Sequence, residues 1–270
     1  MPASREQVER FYQERKYVHN VSPNTLLLYQ LAWKKWEEYG PDPISFVAAM
    51  RERGTTPTGC NIRIRSLNAF FRWNGDKPIP KLKAEEKIPP TLSGSDIQKL
   101  LRFKPDKRNV RTHLLTLLLL DTGLRISEAL SLKMADVDFD NMLLSVAGKG
   151  GKSRLVPFSF EMRKQLWKHS SKQPYELLLS SKNGSRLMHR NTLRAVKNLC
   201  IKAGIKPPAR LLHSFRHTFA VNYLRNGGSV FHLQKALGHS SLEMSRRYAN
   251  LLTEDLQQMQ QRVSLLNRMR

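Results

Sequence analysis

Acidic residues, cysteine and long apolar runs are all scarce in this chain, and each scarcity closes off a class of function. Only 22 Asp and Glu stand against 46 Lys and Arg in 270 residues, a formal net charge of +24. That surplus exceeds what solubility needs and points to a polyanionic partner. Nucleic acid leads; a ribosome-associated or membrane-surface role is what charge alone leaves open. The two cysteines, Cys60 and Cys200, lie far apart with no second Cys or His at metal-ligand spacing around either. They therefore support neither a zinc site nor a disulfide framework, and read as small core residues. The richest apolar stretch, Leu114 to Leu120, is closed by His113 and Asp121, well short of the ~18 residues a membrane span requires. The opening Met-Pro-Ala-Ser-Arg-Glu-Gln lacks the basic start and apolar core of a signal peptide. A cytoplasmic, nucleoid-associated protein without a membrane partner is the expectation. Asp136, Asp138 and Asp140 alternate before a strand and read as a solvated turn, so no two-metal site is expected.

What is present is mostly helical periodicity. From Glu6 to Trp73 the pattern is that of four helices. Ser22 is the expected N-cap with Pro23 at the first helical position, and further helices are expected over Pro43 to Arg53 and Thr58 to Trp73. Residues 74 to 90 carry Gly75, Pro78, Pro80, Pro89 and Pro90 among Lys and Glu, which is linker composition. The domain reading is a helical DNA-binding domain over 1–76, a linker over 77–90 and a second domain over 91–270. In the second domain Ser93 caps a helix to about Phe103, and another runs from about Arg108 to Asp121, where Gly123 ends it. Met142 to Phe158 changes character: Leu143, Leu144, Val146 and Leu155, Val156, Phe158 flank Gly148, Gly150 and Gly151, as in a hairpin. Helical periodicity then resumes. The expected fold is mainly α, in two domains, with a small antiparallel β-sheet in the larger domain.

Four segments carry candidate chemistry: Thr122-Gly-Leu-Arg-Ile-Ser-Glu128, Gly148-Lys-Gly150, His213-Ser-Phe-Arg216, and Leu237-Gly-His-Ser240 followed by Arg247-Tyr248. Singly each has a bland reading. Arg125 has Glu128 to pair with, Gly-Lys-Gly is common in basic hairpin turns, and His and Arg three apart share one face of many surface helices. Together and in this order they resemble the tyrosine recombinase (phage integrase) family, whose signature is Arg, a hairpin Lys, His-x-x-Arg, a second His and a Tyr. His239 and Tyr248 are nine residues apart, the interval of the Xer-like members.

The resemblance spans roughly Leu92 to Ala249 and implies a two-domain DNA clamp, with the helical domain before it as the other half, and a catalytic set of Arg125, Lys149, His213, Arg216, His239 and Tyr248. It also implies metal- and ATP-independent breakage and rejoining of DNA through a 3′-phosphotyrosine, with no cofactor. Chemistry agrees with those residue types. Phosphoryl transfer concentrates charge on non-bridging oxygens, to which Arg125 and Arg216 offer fixed forks of donors. A tyrosine hydroxyl with a pKa of about 10 needs a base, for which His213 is suited, while His239 suits a hydrogen bond to a non-bridging oxygen. A lysine on a hairpin tip can protonate the leaving 5′ oxygen; Lys149 is favoured by the Gly-Lys-Gly triplet, with Lys152 the rival.

DNA contacts are expected from one helix with Arg63, Arg65, Asn68 and Arg72, set against an apolar face of Ile62, Ile64, Leu67 and Phe70. A second basic helix carries His189, Arg190, Arg194 and Lys197. Apolar residues from Leu251 to Leu266 at near-helical spacing fit a tail that packs in cis or, as the resemblance implies, docks into a neighbouring protomer, with a homotetramer on double-stranded DNA as the implied assembly. A second recombinase or an accessory protein is a further possible partner. Two alternatives stay open: a DNA-binding regulator that keeps the fold without strand exchange, and an enzyme of the same chemistry that relaxes supercoils or resolves hairpin telomeres.

Overall fold

The computed structural model describes residues 4–84, 90–148, 153–238 and 264. The chain divides into two compact units, Met1–Lys87 and Ile88–Arg270.

The first unit is built from α1 (Arg5–Gln13, continued by a π turn over Glu14–Val18), α2 (Pro23–Tyr39), α3 (Pro43–Glu52) and α4 (Pro57–Asn74). Three of these start by one device. Ser22, Asp42 and Thr56 each accept a backbone N–H from three residues on, and each is followed by a proline whose missing N–H costs nothing at that position. The core between them is aromatic. Trp36 lies 5.2 Å from both Phe46 and Phe71, and Phe11 meets Phe70 edge-on at 5.4 Å. Cys60 is fully buried in this core. The chain after α4 does not leave at once. Asn68 donates to the Ile79 carbonyl at 2.8 Å and accepts from its N–H at 2.7 Å, and Asn61 does the same for Leu82 at 2.9 and 2.8 Å. Ile79 is thereby buried against the first unit. The proline-rich stretch that reads as linker thus begins as a strand-like strip on α4, because two amides seven residues apart on a helix match two residues three apart in an extended chain.

The second unit comprises α5 (Gly94–Arg102), α6 (Val110–Thr122), α7 (Ile126–Ala129), a 3-10 turn over Met134–Asp136, and strands β1 (Val137–Asp138), β2 (Leu143–Ala147) and β3 (Ser153–Pro157). Helices α8 (Phe160–Ser170), α9 (His189–Lys202), α10 (Leu211–Arg225) and α11 (Val230–Leu237) follow. Helix α6 packs against α8, α9 and α10, which is why its leucines cover nearly its whole circumference. It begins two residues later than the pattern predicts, because the Asp106 carboxylate captures the N–H groups of Arg108 and Asn109 in a turn. The sheet is antiparallel in the order β1-β2-β3, with Leu144 opposite Val156 and Val146 opposite Arg154. Alternation sends Leu144, Val146 and Val156 into the core, and Arg154 points to that same face. Asp138 caps the β1–β2 turn through the N–H groups of Asp140 and Asn141. No helix among the described residues is long and apolar enough to cross a membrane.

Candidate active site

Three parts of the second unit meet: the turn between α6 and α7, the middle of α10, and the C-terminus of α11. Gly123 makes the first of these possible. Its φ of +63° turns the chain sharply after α6, and a Cβ there would collide with Phe219 and stand 2.8 Å from Leu237 Cδ2. The turn delivers Arg125 to the cap position of α7, where Glu128 accepts the Arg125 N–H at 2.8 Å and its Nη1 at 2.8 Å.

Arg216 comes from α10 and is buried, with Nη1 donating to Gly123 O at 2.7 Å and Nη2 to Leu237 O at 2.6 Å. Arg125 reaches the same helix end more loosely, at 3.5 Å to both Leu237 O and Gly238 O. A third guanidinium completes the cluster. Arg154 donates Nε to Ala236 O at 2.9 Å and grips Glu128 with both terminal nitrogens, at 3.0 and 2.8 Å. The last carbonyls of a helix lack intrahelical partners and carry the negative end of its dipole, so three cations there satisfy both needs. Burial alone would push the Glu128 carboxyl upward, but the hydrogen bonds from Arg154 and Arg125 outweigh it and hold the group below the usual carboxylate range. Glu128 is therefore an anion set between two arginines.

His213 lies one turn before Arg216 on α10 and is exposed. Partial burial, then the nearby charges of Arg210, Arg216, His189 and Arg125, lower its pKa below the ordinary 6.5, so the ring is neutral and able to accept a proton near pH 7. His217, one turn further, stacks on it with centroids 6.5 Å apart and is driven down to about 4, first by burial and then by His213, Arg216 and Arg210.

Of the residues singled out in the sequence, Arg125, His213 and Arg216 are thus brought together. Lys149, His239 and Tyr248 lie outside the described residues, as do the rival Lys152 and the apolar tail. Gly148 and Ser153 bound the segment that holds Lys149, and His239 follows Gly238 directly in the chain. On α4, Arg65 and Arg72 are exposed and two turns apart on one stripe, while Arg63 is half-buried off that stripe. Two readings of this helix are corrected. Asn68 is buried with its amide consumed by Ile79, so it braces the chain and offers nothing to a duplex. Ile62 is 39% exposed and belongs to the stripe of Arg65, not to the core face. On α9, Arg190, Arg194 and Lys197 share an exposed stripe, and His189 stands exposed at the helix start, close enough to bear on His213. Arg154 escaped the sequence reading; its signal was a charged residue at an inward-facing strand position.

The phage integrase family matches residues 90–255 of the chain. Over 260 residues the chain is 33% identical to the tyrosine recombinase XerA of Pyrococcus furiosus, covering 91% of this chain and 90% of that protein. It is 31% identical to the tyrosine recombinase XerA of Thermococcus kodakarensis over 263 residues, 92% of each. Among solved structures, the fold is similar to that of the Tn1549 transposon integrase in complex with transposon right end DNA, with a TM-score of 0.77 and 21% identity over 96% of this chain and 99% of that one. It is also similar to the XerH site-specific recombinase bound to its palindromic difH substrate, with a TM-score of 0.74 and 22% identity over 96% and 84%.

Proposed function

The chain belongs to the phage integrase family of tyrosine recombinases, enzymes that break and rejoin DNA site-specifically, and from that premise we propose that Tyr248 is its nucleophile and that it works as a tetramer on two short inverted sites in the cytoplasm. The observation that best supports this reading is the convergence of Arg125 and Arg216 on one helix end, next to a histidine kept neutral by partial burial and then by the cations around it. Such a cluster suits a pentavalent phosphate: two guanidiniums meet the charge that develops on the non-bridging oxygens, where loss of one preorganised donor typically costs about 10²- to 10³-fold in rate.

In the proposed reaction His213 takes the Tyr248 proton as the phenol oxygen attacks phosphorus. The bond from phosphorus to the 5′ oxygen breaks, and Lys149 gives that oxygen its proton. The phosphotyrosine conserves the energy of the broken diester. A 5′ hydroxyl from the partner duplex reverses the step, returning the phenol proton and restoring Lys149 to its charged form, so neither ATP nor a metal enters the balance. Arg65 and Arg72 on α4, with Arg190, Arg194 and Lys197 on α9, are the proposed phosphate contacts.

The test uses nicked duplexes in which the cleaved 5′ end diffuses away. Wild type is expected to leave protein covalently attached to a 3′ end on a denaturing gel, and Tyr248→Phe is expected to leave none. Specific binding without any adduct would overturn the catalytic reading in favour of a DNA-binding regulator.

A further inference from the structure

We infer that Arg154 is a positioning residue for strand cleavage, which keeps Arg125 available to the phosphate by sharing the negative charge of Glu128 and by tying strand β3 to the C-terminal turn of α11. The inference rests on the recombinase reading above.

The geometry is unusual for a surface-accessible strand. Arg154 occupies a core-facing position opposite Val146 with only 15% of its side chain exposed, so burying it has a cost that its partners must offset. It spends Nε on Ala236 O and both terminal nitrogens on Glu128. Glu128 is itself buried and has Arg125 as its other charged partner. Without Arg154 the carboxylate would keep one cation instead of two, and a buried anion short of a partner draws its remaining one inward. That remaining one is Arg125, now 41% exposed and held to the α11 carbonyls only by 3.5 Å contacts. Its weak outer contacts are what leave it able to turn to a phosphate, and Arg154 preserves them.

The α11 end gives a second route to the same result. A Cβ at Gly238 would lie 3.0–3.1 Å from the Arg154 guanidinium, so that guanidinium fills the space beside the left-handed turn at φ +61° from which the chain continues to His239. Arg154 therefore links three parts of the fold: the strand that follows Lys149, the turn that presents Arg125, and the helix end that precedes His239.

The experiment compares wild type, Arg154→Ala and Arg154→Lys in single-turnover adduct formation on two nicked duplexes. One duplex has an ordinary scissile phosphate. The other has a methylphosphonate there, whose missing charge removes most of what Arg125 stabilises. Affinity and Tm are measured alongside. Arg154→Ala is expected to bind DNA as wild type does but to form adduct about 10²-fold more slowly on the phosphodiester, the scale of loss that small misplacement of a reacting group produces. On the methylphosphonate the deficit should shrink to within a few-fold. Arg154→Lys should recover only part of the rate, since a point charge cannot serve both carboxylate oxygens and Ala236 at once. If Arg154→Ala proves insoluble, Arg154→Lys alone carries the comparison between substrates. Equal deficits on the two duplexes, or no deficit on either, would overturn the inference while leaving wild-type cleavage intact. Absence of adduct with wild type would overturn it together with the reading on which it stands.

Discussion

Replacing Gly123 by alanine puts two costs on one atom. The first is conformational: at φ +63° an L-residue other than glycine pays about 1 kcal/mol. The second is steric. The new methyl group overlaps the Phe219 ring and approaches Leu237 Cδ2 at 2.8 Å, in a place where α6, α10 and α11 are packed together, and overpacking of that kind costs about 1–3 kcal/mol. Together they predict a loss of about 2–4 kcal/mol for Gly123→Ala, which for a unit of this size corresponds to a fall in Tm of about 5–15 °C. Gly204→Ala is the control. Its φ of +71° carries the same backbone cost, but nothing lies within 4 Å of the added carbon, so only about 1 kcal/mol is expected. Calorimetry of the two variants under one buffer separates the terms. The Gly123 carbonyl also accepts from Arg216, so shifting it should slow cleavage beyond what the population of folded protein accounts for. Equal Tm shifts for the two variants would refute the packing argument, and a Gly123→Ala enzyme that is destabilised yet fully active per folded molecule would refute the coupling to Arg216.

Other consequences are as open to measurement. Asn68→Leu leaves the Ile79 N–H and carbonyl without partners and, at about 1–3 kcal/mol for each, should cost about 2–6 kcal/mol by urea titration, with no change in the salt dependence of DNA binding. Arg65→Ala and Arg194→Ala should each flatten the slope of log affinity against log salt by about 1, as removal of one phosphate contact does; an unchanged slope would remove that residue from the interface. The cleavage rate should fall as pH drops through the lowered pKa of His213, because the protonated ring cannot accept the tyrosine proton. The acid limb therefore lies below pH 6.5. His213→Gln should lower the rate and abolish that limb, and a limb that persists in the variant would assign the base elsewhere.

Local punctuation made much of the fold legible in the sequence. Ser22 with Pro23, Ser93 before α5, and Gly123 after α6 each act through their own backbone or a neighbour within four residues, so a short window contains the whole physical cause. The convergence of Arg125, His213 and Arg216 was legible for a different reason, through the order of motifs rather than their surroundings. What a window cannot contain is a polar residue whose partner is distant or faces the unexpected way. Asn68 reads as one more polar residue on a basic helix until Ile79, eleven residues on, is laid across it. Arg154 looks like another surface cation beside a glycine-rich turn, because its acceptors, Glu128 and Ala236, are supplied by α7 and α11. Ile62 shows the converse: an apolar residue that reads as core but stands on the exposed side of the helix with Arg65.

The pair of asparagine amides that hold Ile79 and Leu82 on α4 sets how much chain is left to connect the two units. The far end of the connection is pinned as well, since Leu92 is buried and its N–H donates to Thr218 Oγ1 at 2.8 Å. From Leu82 to Leu92 is ten residues, and at no more than ~3.6 Å per residue a chain of that length spans at most about 36 Å. On the proposal that both units contact DNA, a unit that lets go while the other holds on returns at an effective concentration on the order of millimolar. Release of the whole protein then needs both units to let go at once, and freeing Ile79 and Leu82 from the asparagines would lengthen the connection and weaken that retention without altering any proposed DNA contact.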